Sequence, residues 1–492
     1  MSGPPVSEAD GSLTPTDILD TPAAGSSVVR GGALRAIGFG LGTALSLLGF
    51  ALVTRALGVA EFGRYQTVLS LITVVGAVTD AGMATLGVRE YAQRPEADRR
   101  RLMRGLLGLR IALTVVGTAV AVLVAVSIGY STTLVLGTAL AGLGLLLTVV
   151  QTTLSVPLSV NLRNGALTVL DLGRQVATVS GFVLGAALSA GVVWYLAVPI
   201  PVGLVLVAAV ALMARGMISL VPSFAVDEWG RLLRVALPFA AATAVGTIYS
   251  YLAQILTAAM STPTQTGLFG TAFRVYVVVG SVAGLLVSVA FPVLARAARD
   301  DAVRFAYATR RLAETCWILG LGACLGTVVA APGVVSVMAG SGYADAATPL
   351  RIIAATLLAS FLAAPLGFAL LSLHRHALLL LANAVALAVA IPTLLILVPA
   401  HGASGAATAT AIGDWTLIAA YAVALWRAGS PVTMRPFLVL KSAAAALVAA
   451  AVVLSPLPTL VNGGLALGVY GALLLLTRAV PDELFDLLPR RH

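Results

Sequence analysis

Charge is scarce in this chain. Only 10% of its 492 residues are Asp, Glu, Lys or Arg, against 59% hydrophobic, and the mean hydropathy is +1.01. A water-soluble protein of this length could not cover its surface with so few polar groups. Its two cysteines, Cys316 and Cys324, share one apolar stretch. They read as small buried hydrophobes, and no disulfide framework is expected. With four histidines and no acidic pair in a long loop, no metal or cofactor is expected either. The arginines sit in short loops without interleaved aromatics, which excludes a nucleic-acid module despite a net charge of +10. No connection is long enough to carry an extramembrane catalytic domain. A glycan polymerase, ligase or glycosyltransferase is therefore not expected.

What the chain does have is apolar runs of 18 or more residues, recurring from about position 32 to position 478. Each is long enough to cross a bilayer as a helix. Cutting at charges, prolines and glycine-rich turns predicts an all-α polytopic membrane protein with about fourteen transmembrane helices. Residues 1–29, with Glu8, Asp10, Asp17 and Asp20 among Ser, Pro, Gly and Thr, are expected to form a disordered tail. Orientation follows from the basic residues. If the N-terminus is cytoplasmic, only Arg55, Arg64, Arg274 and Arg351 lie at outward ends, and the other 26 of the 30 lie inward. Cytoplasmic loops carry the excess of Lys and Arg, so both termini are expected on the cytoplasmic side of the cell membrane.

An internal repeat is visible on placing "AEFGRYQTVLSLITVVGAV" (60–78) over "TQTGLFGTAFRVYVVVGSV" (264–282). Gly63, Thr67, Val74, Val75, Gly76 and Val78 meet Gly267, Thr271, Val278, Val279, Gly280 and Val282, and Tyr65 meets Phe269. The offset carries span 2 onto span 8, so the pattern predicts a six-span unit repeated once. Six is even, so the units share one orientation, as in transporters built from parallel repeats with a site between the halves.

Several stretches resemble the polysaccharide (Wzx-type) flippases of the multidrug/oligosaccharidyl-lipid/polysaccharide exporter superfamily. They are "TRALGVAEFGRYQTV" (54–68), "DAGMATLGVREYA" (80–92), "LPFAAATAVGTIYSYLAQIL" (237–256), "GSGYADAATPLRI" (340–352) and "IPTLLILVPAHGASGAATATAIGDW" (391–415). The resemblance implies two six-helix lobes around a central cavity plus two C-terminal helices. Laid on this chain, that gives lobes at 30–213 and 235–427, a cytoplasmic linker at 214–234, and two further helices with a short tail at 428–492. It also implies transport of a polyprenyl-diphosphate-linked oligosaccharide from the inner to the outer leaflet. Membrane lipids and the pathway's polymerase and glycosyltransferases would be its partners. One departure stands out: Ala253 and Gln254 occupy span 7 where members often carry an acid.

A diphosphate calls for arginine, whose planar fork stays charged and donates paired hydrogen bonds. A charge inside a span costs about 2.5–3.5 kcal/mol on insertion scales, so each one needs a reason. Arg274, inside span 8, and Arg35, at the start of span 1, are candidates for lining the cavity, with an interfacial anchor as the alternative for each. Asp80 and Asp414 are candidates for the cavity or for structural pairing and capping. Tyr249 is a further cavity candidate. Asp171 and Arg174, three apart on one helix face, form either a gate contact or a local ion pair. The competing function is a cation-coupled exporter of small cationic compounds, which predicts acids rather than arginines in the cavity.

Overall fold

Two glycines decide how the longest helices run. Helix α1 (Pro22–Asp80) contains Gly58 at φ +69°, and the 52-residue α13 (His376–Arg427) contains Gly402 at φ +53°. Those backbone angles are open to glycine and strained for other residues, so each helix turns there. The computed structural model describes residues 22–80, 83–161, 164–215, 221–223 and 226–477; side chains before Gly40 lie outside that set. Between α1 and α13 come α2 (Met83–Gln93), α3 (Glu96–Ser127), α4 (Thr132–Leu154), α5 (Val156–Val160) and α6 (Asn164–Ala187). Then follow α7 (Val192–Ala197), α8 (Pro199–Met213), α9 (Val226–Met260), α10 (Pro263–Asp300), α11 (Ala302–Ala339) and α12 (Ala347–Ser372). The last two are α14 (Pro436–Ala450) and α15 (Thr459–Leu476). Short 3-10 segments cover Ser341–Ala346 and Ala451–Leu454, and the described residues hold no strand.

Eleven helices among the described residues are long and apolar enough to cross a membrane. They do not map one to one onto the fourteen expected segments. Helices α1 and α13 each carry two of those segments across a glycine turn, and the seventh falls on α9, whose described apolar part is Val245–Met260. At the start of the chain, α1 begins inside the stretch expected as a disordered tail. All four acids of that tail precede Pro22, and a proline in the first turn forfeits no helical hydrogen bond. Residues 1–21 lie outside the described set.

Helices α1 to α8 form one lobe and α9 to α13 the other, with α14 and α15 docked on the second. Within a bilayer the tails are as apolar as the side chains, so packing rests on close van der Waals contact and interhelical hydrogen bonds. The α15–α11 seam illustrates this. A Cβ at Gly463 would fall 2.6 Å from the Ala330 Cβ, and the Tyr470 hydroxyl donates to the Ile318 carbonyl at 3.0 Å. Helix α14 is tied down three ways. Trp317 Nε1 donates to Ser442 Oγ at 2.9 Å, the Arg435 backbone N–H donates to the fully buried Glu314 at 3.1 Å, and Lys441 Nζ donates to the Thr477 carbonyl at 2.7 Å.

The lobes meet through α1, which packs on α9, α10 and α11. A Cβ at Gly63 would overlap the Pro263 carbonyl oxygen and stand 3.0 Å from the Gly267 nitrogen. A Cβ at Gly267 would overlap the Val59 carbonyl oxygen and stand 3.2 Å from the Gly63 nitrogen. Position 59 precedes 263 by the same offset that separates 63 from 267. Each lobe therefore touches its own equivalent here, which happens only on a pseudo-twofold axis. Thr67 and Thr271 repeat the relation, each donating to the carbonyl four residues back, Gly63 and Gly267, at 2.9 Å.

Candidate functional site

Below that crossing the lobes separate around three adjoining cavities. The first, about 280 Å³, lies between α1 and α6 on one side and α9 and α10 on the other. Val53 and Phe62 roof it, at 1% and 0% exposure. The second, about 540 Å³, continues along α1, α6 and α10 and is lined by Gly42, Asp171, Arg174, Arg274 and Ser281. At about 1.5 Å per residue, Gly42 lies roughly 24 Å from the Gly58 turn, most of the way across a ~30 Å hydrocarbon core. The third, about 380 Å³, sits within the second lobe and shares Val277 and Ser281 with the second. Backbone contact between the lobes caps the Gly58 end, and along α1 ahead of that turn the cavity lining runs from Val53 to Gly42.

Arg274 lines the first and second cavities. From α10 it reaches across the lobe boundary and donates through Nη2 to Ser46 Oγ on α1. Its buried Nε has no protein partner among the described residues. A guanidinium so placed keeps donor capacity for a ligand in the cavity. Asp171 and Arg174 lie on the second cavity's wall and bond each other at 2.8 Å while staying partly exposed, at 66% and 38%. Three of the residues picked out by the sequence thus line one space, from both lobes.

Asp414 and Tyr249 lie together in the third cavity. Asp414 is 8% exposed, and its two oxygens accept from Tyr249 Oη at 2.6 Å and Tyr276 Oη at 2.9 Å. Gln254, standing where an acid was noted as absent, is 1% exposed, lines the first cavity and donates to the Thr266 carbonyl at 3.4 Å. Asp80 stands apart from all three cavities. Arg110 of α3, only 2% exposed, bonds the Asp80 carboxylate through Nη2 and Thr153 Oγ1 through Nη1, the latter at 2.8 Å. That pairing from another span satisfies the charge within the first lobe, so Asp80 needs no cavity. Arg35 is on α1, but its side chain lies outside the described residues.

Arg110, Ser46 and Tyr276 were not singled out from the sequence. Arg110 is readable as an in-span arginine in "LLGLRIALTVV", close enough to the inward end of its span to pass for a loop-end charge. Ser46 and Tyr276 carry no such signal.

The polysaccharide biosynthesis protein family model matches residues 28–298, more than half of the chain. The chain belongs to that family. No curated protein matches the sequence closely enough to count as a relative. Among solved structures, the fold is similar to the lipid II flippase MurJ in an inward closed conformation. That match has TM-score 0.76 and 12% identity and covers 91% of this chain and 99% of that one. A multidrug-resistance MATE transporter of the MOP superfamily matches in its inward-facing conformation at TM-score 0.63 and 13% identity, over 79% and 94%. An outward-facing conformation of such a transporter matches at TM-score 0.52 and 15%, over 80% and 93%. This family member therefore has the fold of those transporters, which are seen in an inward-facing and an outward-facing conformation.

Proposed function

We propose that the protein carries a polyprenyl-diphosphate-linked oligosaccharide from the inner to the outer leaflet of the cell membrane by alternating access. Arg274 is the observation that supports this most. It is a permanent positive charge inside an apolar bundle, in a cavity between two lobes, with a single side-chain acceptor among the described residues, Ser46, for its five N–H donors. Such a charge is costly in a membrane unless an anion meets it. The diphosphate is the anion of the cargo, the polar wall formed by Thr43, Ser46 and Gln175 suits its sugars, and its tail stays in lipid. Family membership supports the polysaccharide pathway as the setting. The partners in this reading are membrane lipids, the pathway's glycosyltransferases and its polymerase, with both termini of the chain in the cytoplasm.

The test is leaflet transfer of a labelled polyprenyl-diphosphate glycan in proteoliposomes. Hydrogen bonds to charged groups are worth about 1.5–3 kcal/mol, so Arg274→Ala should slow transfer at least ten-fold at unchanged protein abundance. Arg274→Lys should keep part of the rate. Full transfer by the alanine variant would remove Arg274 from the site. Asp414, with its two phenols in the third cavity, favours the second reading, cation-coupled export. Movement of a cationic dye with none of the glycan would support that reading instead.

A further inference from the structure

The seal at the Gly58 end is backbone laid on backbone. In α1, Val59 and Gly63 are one turn apart; in α10, Pro263 and Gly267 are too. Each glycine receives the other lobe's carbonyl, and the atoms that a new Cβ would strike are main-chain atoms. A flexible side chain could rotate away, but a helix carbonyl cannot. Elsewhere on the described parts of the same helices no glycine would meet main chain: Gly42 and Gly284 have open space where a Cβ would go, and Gly49, Gly76, Gly270 and Gly280 would meet side chains only. The close approach is thus required at this level of the bundle and not lower.

The polar contacts around the crossing are of a kind that breaks cheaply. Thr54 Oγ1 donates to the Met338 carbonyl at 3.2 Å across the lobe boundary, yet the Phe50 and Ala51 carbonyls of its own helix are 3.0 and 3.1 Å away. Tyr343 Oη donates to the Thr54 carbonyl at 3.1 Å, and Arg55 donates to the Val337 carbonyl. Among the described residues no ion pair crosses this end. When the lobes part, Thr54 keeps a partner and no ion pair is broken. Interhelical hydrogen bonds in bilayers average only about 0.6 kcal/mol, so shape rather than polarity holds this end shut.

We infer that the Gly63–Gly267 crossing is the gate at the Gly58 end of the cavity, a latch on the pseudo-twofold axis whose closed form requires a glycine on both sides. The inference rests on the reading that the two lobes rock, and it is independent of the cargo. Its first test reads accessibility and not glycan movement, and in the second, glycan transfer that persists would overturn the gate alone, so failure of either leaves the glycan assignment standing.

The full chain would carry Ser281→Cys in the cavity wall as a reporter, with Cys316→Ala and Cys324→Ala removing the native thiols. A membrane-impermeant maleimide is applied to intact cells and, separately, to inside-out vesicles. With both glycines present the reporter should react from one face. Gly63→Ala and Gly267→Ala should each raise reaction from the other face five-fold or more, and by similar factors, because the axis makes them equivalent. The double variant should add little, since one methyl group suffices to hold the lobes apart. Gly284→Ala, on α10 and outside the cavity walls, should change nothing. No rise in either glycine variant at normal abundance, a rise in one only, or an equal rise in Gly284→Ala would overturn the gate. If neither alanine variant reaches the membrane, a short dithiol-reactive linker joining Thr54→Cys to Met338→Cys locks the same end. Leaflet transfer of the labelled glycan, or of the dye if that is what moves, should then stop, and transfer persisting in linked protein would overturn the proposal.

Discussion

Asp80 and Asp414 are both carboxylates within apolar helices, and the chain treats them differently. Asp80 receives a full charge from Arg110; Asp414 receives two neutral phenols and faces a cavity. Removing one member of a buried pair leaves an uncompensated ion and costs about 3–5 kcal/mol. Asp80 is 38% exposed, so solvent screens part of that. Asp80→Asn should therefore lower stability by about 1–3 kcal/mol, read as thermal unfolding in detergent. Replacing both partners, Asp80→Asn with Arg110→Gln, should recover part of the loss, whereas a further loss would show that the pair is not the source. The need for a partner at Asp80 was legible in the sequence, because an unpaired acid there would be too costly. Its identity was not, because the partner lies 30 residues away and only the fold brings α3 beside α1. The phenols around Asp414 lie 138 and 165 residues off, and no local pattern points to them.

At the level of helices, the turns carry the argument. The Gly402 turn is held by Gln265, whose Oε1 accepts the Ala403 N–H at 2.9 Å. This glutamine begins α10, so one side chain couples the α13 turn to the helix that bears Arg274. A Cβ on Gly402 would come within 2.9 Å of the Gln265 Cγ as well as straining the backbone. Left-handed backbone costs a non-glycine residue about 1–2 kcal/mol, so Gly402→Ala should destabilise by at least that. Gln265→Ala should cost less, and the two should combine to less than their sum, since both remove the same contact. Strict additivity in a double-mutant cycle would show that Gln265 does not support this turn. Hydropathy located the long helices well, because every face of them is apolar. It separated the two segments of α1 and of α13 but could not show that each pair runs on through a glycine turn, since that turn changes no residue's hydropathy.

For the whole molecule, the repeat was the most informative sequence feature. Six identities in "AEFGRYQTVLSLITVVGAV" placed Gly63 opposite Gly267 before any contact was known, and the fold sets those residues against each other. What the alignment could not carry was the shape of the space beneath them, which depends on how far the lobes diverge. The distribution of arginine leads to one further expectation at this scale. A reporter fused after His492 should read as cytoplasmic, and an external signal would reverse the charge argument and the direction of transfer with it. The near absence of lysine has a practical consequence too. Apart from the chain's amino end, Lys441 is the sole amine, and its nitrogen is engaged with the end of α15. An acylating reagent thus has a single internal target, masked while the last two helices stay clasped, and its rate of modification becomes a direct gauge of how often that clasp lets go.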